Sequence, residues 1–215
     1  WPPRRPREHL PYARSLVAPL LFALLVAFFF GVTGPVRGGS AWFSRGTAVS
    51  ELVLHGQPWR AVTALTLHAD ASHVLGNALA GTLFLSAIDR RLGHGRGPLT
   101  VLAGGVLGNA LNAAWHQAGH ASIGASTAVF AAVGVLAATQ FVVSRRLHAT
   151  AAAAAAPSRL ERIAPLVGGL ALLGVLGANP GSDLLAHLFG FLAGLAVGFP
   201  VAWTAAGRRT HALTQ

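Results

Sequence analysis

The chain has 215 residues, of which 53% are hydrophobic and 10% charged, with a mean hydropathy of +0.56. A soluble domain carries about 25% charged residues, so this chain cannot cover a globular surface with charge and reads as an integral membrane protein of one domain. Its lack of cysteine excludes disulfides and thiolate metal sites. Its net charge of +10 needs an account of where the positive residues lie.

Residues 1–14 are rich in Pro and Arg (Arg4, Arg5, Arg7, Arg14) and form a basic tail. The chain begins at Trp1 and contains no Met, so native residues upstream are to be expected. The first apolar stretch, 15–32, is too long for an ordinary signal peptide and lacks a small-residue cleavage site. It is read as span one, stopped by Gly34 and Pro35. A loop to Thr66 follows, with Trp42, Phe43, Trp59 and Arg60. Mixed aromatic and polar residues suit a segment lying in the membrane interface.

Span two is placed at 72–88, with Asp70 or Ser72 as N-cap. Asp89, Arg90, Arg91 and Arg96 make the next turn. Span three is 98–115, with Gly104, Gly105 and Gly108; Asn109 and Asn112 are read as interhelical hydrogen-bonding groups. Span four is 126–143. Ala151–Ala156 is a low-complexity run in a basic loop, span five is 163–178, and span six is 184–205, followed by a tail at 206–215. The expected domain is therefore a six-helix unit over 15–205.

Thirteen of the sixteen arginines fall in the two tails and in the loops joining spans two to three and four to five; only Arg37, Arg45 and Arg60 fall on the other side. The positive-inside rule then puts both termini in the cytoplasm. The high charge is topological, and no clustered basic face with interleaved aromatics suggests a nucleic acid partner.

With that topology spans two, four and six start at the outer face. At about 1.5 Å per residue, His73 and Asn77 of span two, Ser126 of Ser122-Ile123-Gly124-Ala125-Ser126-Thr127, and His187 of Ala186-His187-Leu188-Phe189-Gly190 share one shallow layer. A serine hydroxyl needs a base, and His187 is the one imidazole of span six. Ser126 sits where backbone N–H groups are free. His73 and Asn77 are four apart, on one helix face, and can both donate to an oxyanion. Gly190, Gly194 and Gly198 allow span six to pack backbone-close. Phe130, one turn after Ser126, can stack beneath the imidazole.

These residues, with Trp59-Arg60, His68, and Gly124-Ala125-Ser126, resemble the rhomboid proteases, a family of intramembrane serine proteases. The matches run in the family's order from residue 59 to 198. The resemblance implies an all-α, six-transmembrane-helix bundle that cleaves transmembrane protein substrates in the bilayer. It implies Ser126 as nucleophile, His187 as base, His73 and Asn77 in the oxyanion hole, Trp59 and Arg60 as a structural first-loop element, and Phe130 packed on the base. It implies a dyad, so Asp183, four before His187, is read as a cap or surface residue. His68 is expected to be a structural hydrogen-bonding group. No cofactor is implied, and His68, His116 and His120 are not expected to hold a metal, since their spacing fits no recognised ligand pattern.

One position departs from the family's pattern: Thr127 stands where Gly is usual. Its bulk beside the nucleophile is expected to narrow substrate access. That residue is the one support for an alternative, a rhomboid-like pseudoprotease that binds transmembrane clients uncut. A small transporter would need internal repeats or midplane charges, and neither is found. A bacterial plasma membrane location suits the Arg-, Ala- and Gly-rich composition. Substrate, cleavage preference and oligomeric state are not written in the sequence.

Overall fold

The computed structural model describes residues 16–93, 95–149, 163, 167 and 182–211. Helix α1 spans Val17–Thr33 and ends at Gly34, whose φ of 69° suits glycine. The segment to Thr66, expected as an interfacial loop, instead holds short helical turns: α2 (Ala41–Gly46), α3 (Ser50–Leu54), α4 (Arg60–Thr63) and two 3-10 turns, Val36–Gly38 and Ala64–Thr66. Arg60 organises them. It is 5% exposed, and its guanidinium donates to Gln57 Oε1 at 2.6 Å, the Thr47 carbonyl at 2.9 Å and the Ser44 carbonyl at 2.9 Å. A buried cation is tolerated because carbonyl dipoles replace its water. Trp59, by contrast, is exposed.

Helix α5 spans Ala71–Leu92. Of the two N-cap candidates it uses Asp70, whose Oδ1 accepts from the His73 amide at 2.9 Å and the Ser72 hydroxyl at 2.6 Å. Helix α6 spans Arg96–His116, α7 Ser126–Ala149, and α8 Leu184–His211. The fifth predicted span lies outside the described residues, apart from Ile163 and Val167.

Among the described residues, four helices are long and apolar enough to cross a membrane: α1, α5, α7 and α8. Helix α6 has the length, about 30 Å at 1.5 Å per residue, but falls short in apolarity. The reason is its position. Its Gly104, Gly105, Gly108, Asn109 and Asn112 are buried against protein, so they are not priced against lipid. Helix α1 is the opposite case, with Leu20, Leu24 and Phe28 exposed as a lipid-facing surface requires.

Helix α8 fits a groove between α6 and α7. A Cβ added at Gly194 would lie 2.1 Å from the Ala131 carbonyl oxygen, and one at Gly190 would lie 2.3 Å from the Thr127 carbonyl oxygen. Seen from α6, a Cβ at Gly104 would meet Gly194 Cα at 3.2 Å, and one at Gly108 would meet Gly190 Cα at 2.7 Å. Only glycine permits this approach. The expected all-α character needs one small correction: β1 (Ala48–Val49) and β2 (Ala121–Ser122) form an antiparallel pair, Ala48 opposite Ser122 and Val49 opposite Ala121. The pair staples the first-loop region to the segment that precedes Ser126.

Candidate active site

The site forms where α5, α7 and α8 begin, all at one end of the bundle. Ser126 is the first residue of α7. Its Oγ lies 2.9 Å from His187 Nε2. The His187 ring is stacked on Phe130, with centroids 4.4 Å apart and planes at 22°. Phe130 is itself buried, so the imidazole has a rigid floor. His187 Nδ1 has no hydrogen-bond partner among the described residues. Within them, serine and imidazole meet as a pair.

The turn before Ser126 is fixed from three sides. Gly124 has φ of 118°, donates its amide to the Ala64 carbonyl at 2.9 Å, and lies against His73; a Cβ there would be 2.8 Å from His73 Nε2 and 3.4 Å from Ser126 Oγ. Both conformation and space exclude any other residue. The Ala125 amide donates to Nε2 of His68 at 3.3 Å, and His68 is fully buried. Burial, then the neighbouring His73 ring, lowers the His68 pKa to about 4, which keeps the ring neutral and able to accept. His73 packs edge-on to His68 at 5.1 Å, and its Nδ1 accepts from the Ala69 amide at 3.5 Å. Asn77, 6% exposed and one turn beyond His73 on α5, has a buried side-chain NH2 with no partner among the described residues. A buried donor so placed calls for an acceptor.

Thr127 is 3% exposed, and its methyl packs between α6 and α8, 2.9 Å from where a Cβ on Gly108 would sit and 3.0 Å from one on Gly190. The methyl fills a helix contact.

Asp183 is the residue that sequence reading undervalued. It does cap α8, Oδ1 accepting from the Ala186 amide at 3.0 Å, but its side chain is only 19% exposed and is tied into the interior. Its Oδ2 accepts from the Ser122 hydroxyl, from Asn112 Nδ2 at 3.0 Å, and lies 2.7 Å from His120 Nε2. Burial opposes its charge, yet the hydrogen bonds from Ser122, the Ala186 amide and His120 outweigh this and hold the carboxyl below its ordinary value. It joins the segment before Ser126 to the helix that carries His187. An aspartate at an N-cap position was the visible signal; its remote partners were not. Asn109 behaves as read, donating to the Ala61 carbonyl at 2.9 Å.

Helices fit to cross a membrane, with a serine–imidazole contact between two of them, define a multi-pass integral membrane protein with a polar site inside its helical bundle. The Rhomboid domain model matches residues 55–204, and the chain belongs to the rhomboid family of intramembrane proteases. It is 27% identical over 183 residues to "Putative rhomboid protease YdcA" of Bacillus subtilis (strain 168), covering 85% of this chain and 87% of that one. It is 30% identical over 151 residues to "RHOMBOID-like protein 1" of Arabidopsis thaliana, covering 70% of this chain and 36% of that one. It is 32% identical over 121 residues to "Rhomboid protease GluP" of Bacillus subtilis (strain 168), covering 54% and 23%.

Proposed function

We propose that this chain is itself an active serine endopeptidase of the bacterial plasma membrane, cutting peptide bonds in or near transmembrane segments of other proteins. The observation that carries this is the 2.9 Å contact between Ser126 Oγ and His187 Nε2 above the Phe130 ring. His187 Nε2 takes the Ser126 proton as Oγ attacks the carbonyl carbon of an unwound substrate segment. The oxyanion is held by the Ser126 amide, His73 and Asn77. Acceptance at His73 Nδ1 leaves the proton on Nε2, the edge that faces Gly124. Collapse breaks the C–N bond, and His187 returns the proton to the leaving amine. Water, deprotonated by His187, then hydrolyses the Ser126 ester. No step needs a cofactor.

The bundle is read as six spans within 15–205, flanked by tails 1–14 and 206–215, both cytoplasmic. A binding-only reading would need Thr127 to obstruct the nucleophile, and its packing on Gly108 and Gly190 does not favour that. The test is fluorophosphonate labelling of the purified, detergent-solubilised protein. Wild type is expected to label, and Ser126→Ala and His187→Ala to lose labelling by about a thousandfold or more while remaining folded. Absence of labelling in a folded wild type would overturn the reading.

A further inference from the structure

Beside the site, at the same end of the bundle, lies a second cluster that the proteolytic reading does not use. His116 ends α6, His120 lies between α6 and β2, and Asp183 caps α8. One ligand atom from each lies within 4.8 Å of the other two. The two imidazoles are stacked, centroids 3.8 Å apart and planes at 11°, so their in-plane lone pairs run nearly parallel and converge on one ion only when the rings tilt.

Hydrogen bonding alone serves this cluster poorly. His120 Nε2 is asked to donate to Asp183 Oδ2 at 2.7 Å and to accept from Asn112 Nδ2 at 3.3 Å. One nitrogen of a neutral ring does only one of these. His116 Nε2 and Asn112 Oδ1 are buried with no partner among the described residues. Two orphaned buried groups beside an ionised carboxylate are what a cation site looks like when only its protein atoms are counted. The site is also reachable, since the side chains of His120 and Asp183 are 26% and 19% exposed.

We infer that His116, His120 and Asp183 form a binding site for a first-row divalent cation of the zinc type. Two imidazoles and one carboxylate suit zinc, with bonds of about 2.0–2.2 Å and an open fourth position for water. Tetrahedral bonds of that length need ligand atoms about 3.3 Å apart, so the His120–Asp183 contact must open by roughly half an ångström and the stacked rings must tilt. Bound metal takes the imidazole lone pairs and removes the donor–acceptor conflict at His120. It also ties α6 to the carboxylate that caps the His187 helix and accepts from Ser122. His116 and His120 lie four positions apart, but the third ligand, Asp183, lies 63 positions beyond His120, so no compact sequence motif announces the set.

The site is independent of the protease reading, and its test is independent of activity. Tag-free full-length protein in detergent is titrated with Co2+, whose visible d–d absorption reports low-coordinate geometry. Wild type is expected to bind one equivalent, to lose the bands on adding Zn2+, and to melt at higher temperature with Zn2+ present. His116→Ala and His120→Ala are each expected to weaken binding tenfold or more. His116→Ala removes a ring whose Nε2 has no partner among the described residues, so its fold, checked by circular dichroism, should persist. If Co2+ does not saturate at one equivalent in wild type, or if both variants bind with wild-type affinity, the site does not exist.

Discussion

Asn77 is the residue whose burial makes least sense without a reaction. A side-chain amide with an unpaired NH2 costs roughly 1–3 kcal/mol, and the fold bears it. As an oxyanion donor it would return that cost only when negative charge develops. Asn77→Ala is therefore expected to lower kcat of substrate cleavage by about a hundredfold or more, with little change in KM and no loss of thermal stability; an unchanged kcat would remove Asn77 from the oxyanion hole. His68 makes a different case. Its ring is neutral in the fold, with its pKa lowered from 6.5 to about 4 by burial and by His73. A lowered base binds fewer protons folded than unfolded. Its stabilisation is thus complete above pH 6.5 and drains away as pH falls toward 4, by up to about 3 kcal/mol. Melting temperature against pH should fall more steeply in wild type over that window than in His68→Gln, whose side chain does not titrate. Parallel curves would show that His68 is not the group responsible. The resemblance suggested His68 as a hydrogen-bonding group near the site; its partner, the Ala125 amide, was not legible in the sequence. The packing of the Thr127 methyl against Gly108 and Gly190 was not legible, because sequence gives adjacency to Ser126 but not the direction of a methyl group.

Elements differ in how plainly the sequence announces them. The long apolar runs and the glycine stripe of α8 were legible because lipid and close packing impose their own composition. The turns of α2, α3 and α4 were not. Helices of four to six residues show no periodicity, and they persist through Arg60 and tertiary contacts instead of propensity. Two-residue strands likewise leave no pattern. The hub at Asp183 escaped because Asn112, His120 and Ser122 reach it across 61 to 71 positions. The α7–α8 contact gives the sharpest prediction at this scale. With a Cβ at Gly194 set 2.1 Å from the Ala131 carbonyl oxygen, Gly194→Val must push the helices apart. It is expected to cost about 3 kcal/mol or more, read as a lower melting temperature in detergent. Fluorophosphonate labelling should fall with it, because Ser126 and His187 ride on the separated helices. Wild-type stability in that variant would contradict the packing described.

For the whole molecule, the arginine distribution is a claim about sidedness. The chain has no cysteine, so single substitutions report cleanly. His55 is exposed in the first-loop region, and Thr214 lies in the C-terminal tail. In intact cells a membrane-impermeant maleimide should label His55→Cys at once and Thr214→Cys only after lysis. The reverse pattern would invert the proposed topology. The contact between Ser126 and His187 closes across 61 positions, and this has a meaning for biosynthesis. Chains grow at roughly 5–20 residues per second, so the serine is made roughly 3–12 seconds before its base. Throughout that interval a nascent chain carries a hydroxyl with nothing to activate it, in a membrane crowded with other unfinished helices. Docking of α8 brings up the imidazole and seats the Asp183 carboxylate against Ser122 in one event. On the proposed mechanism the nascent chain is inert until α8 docks.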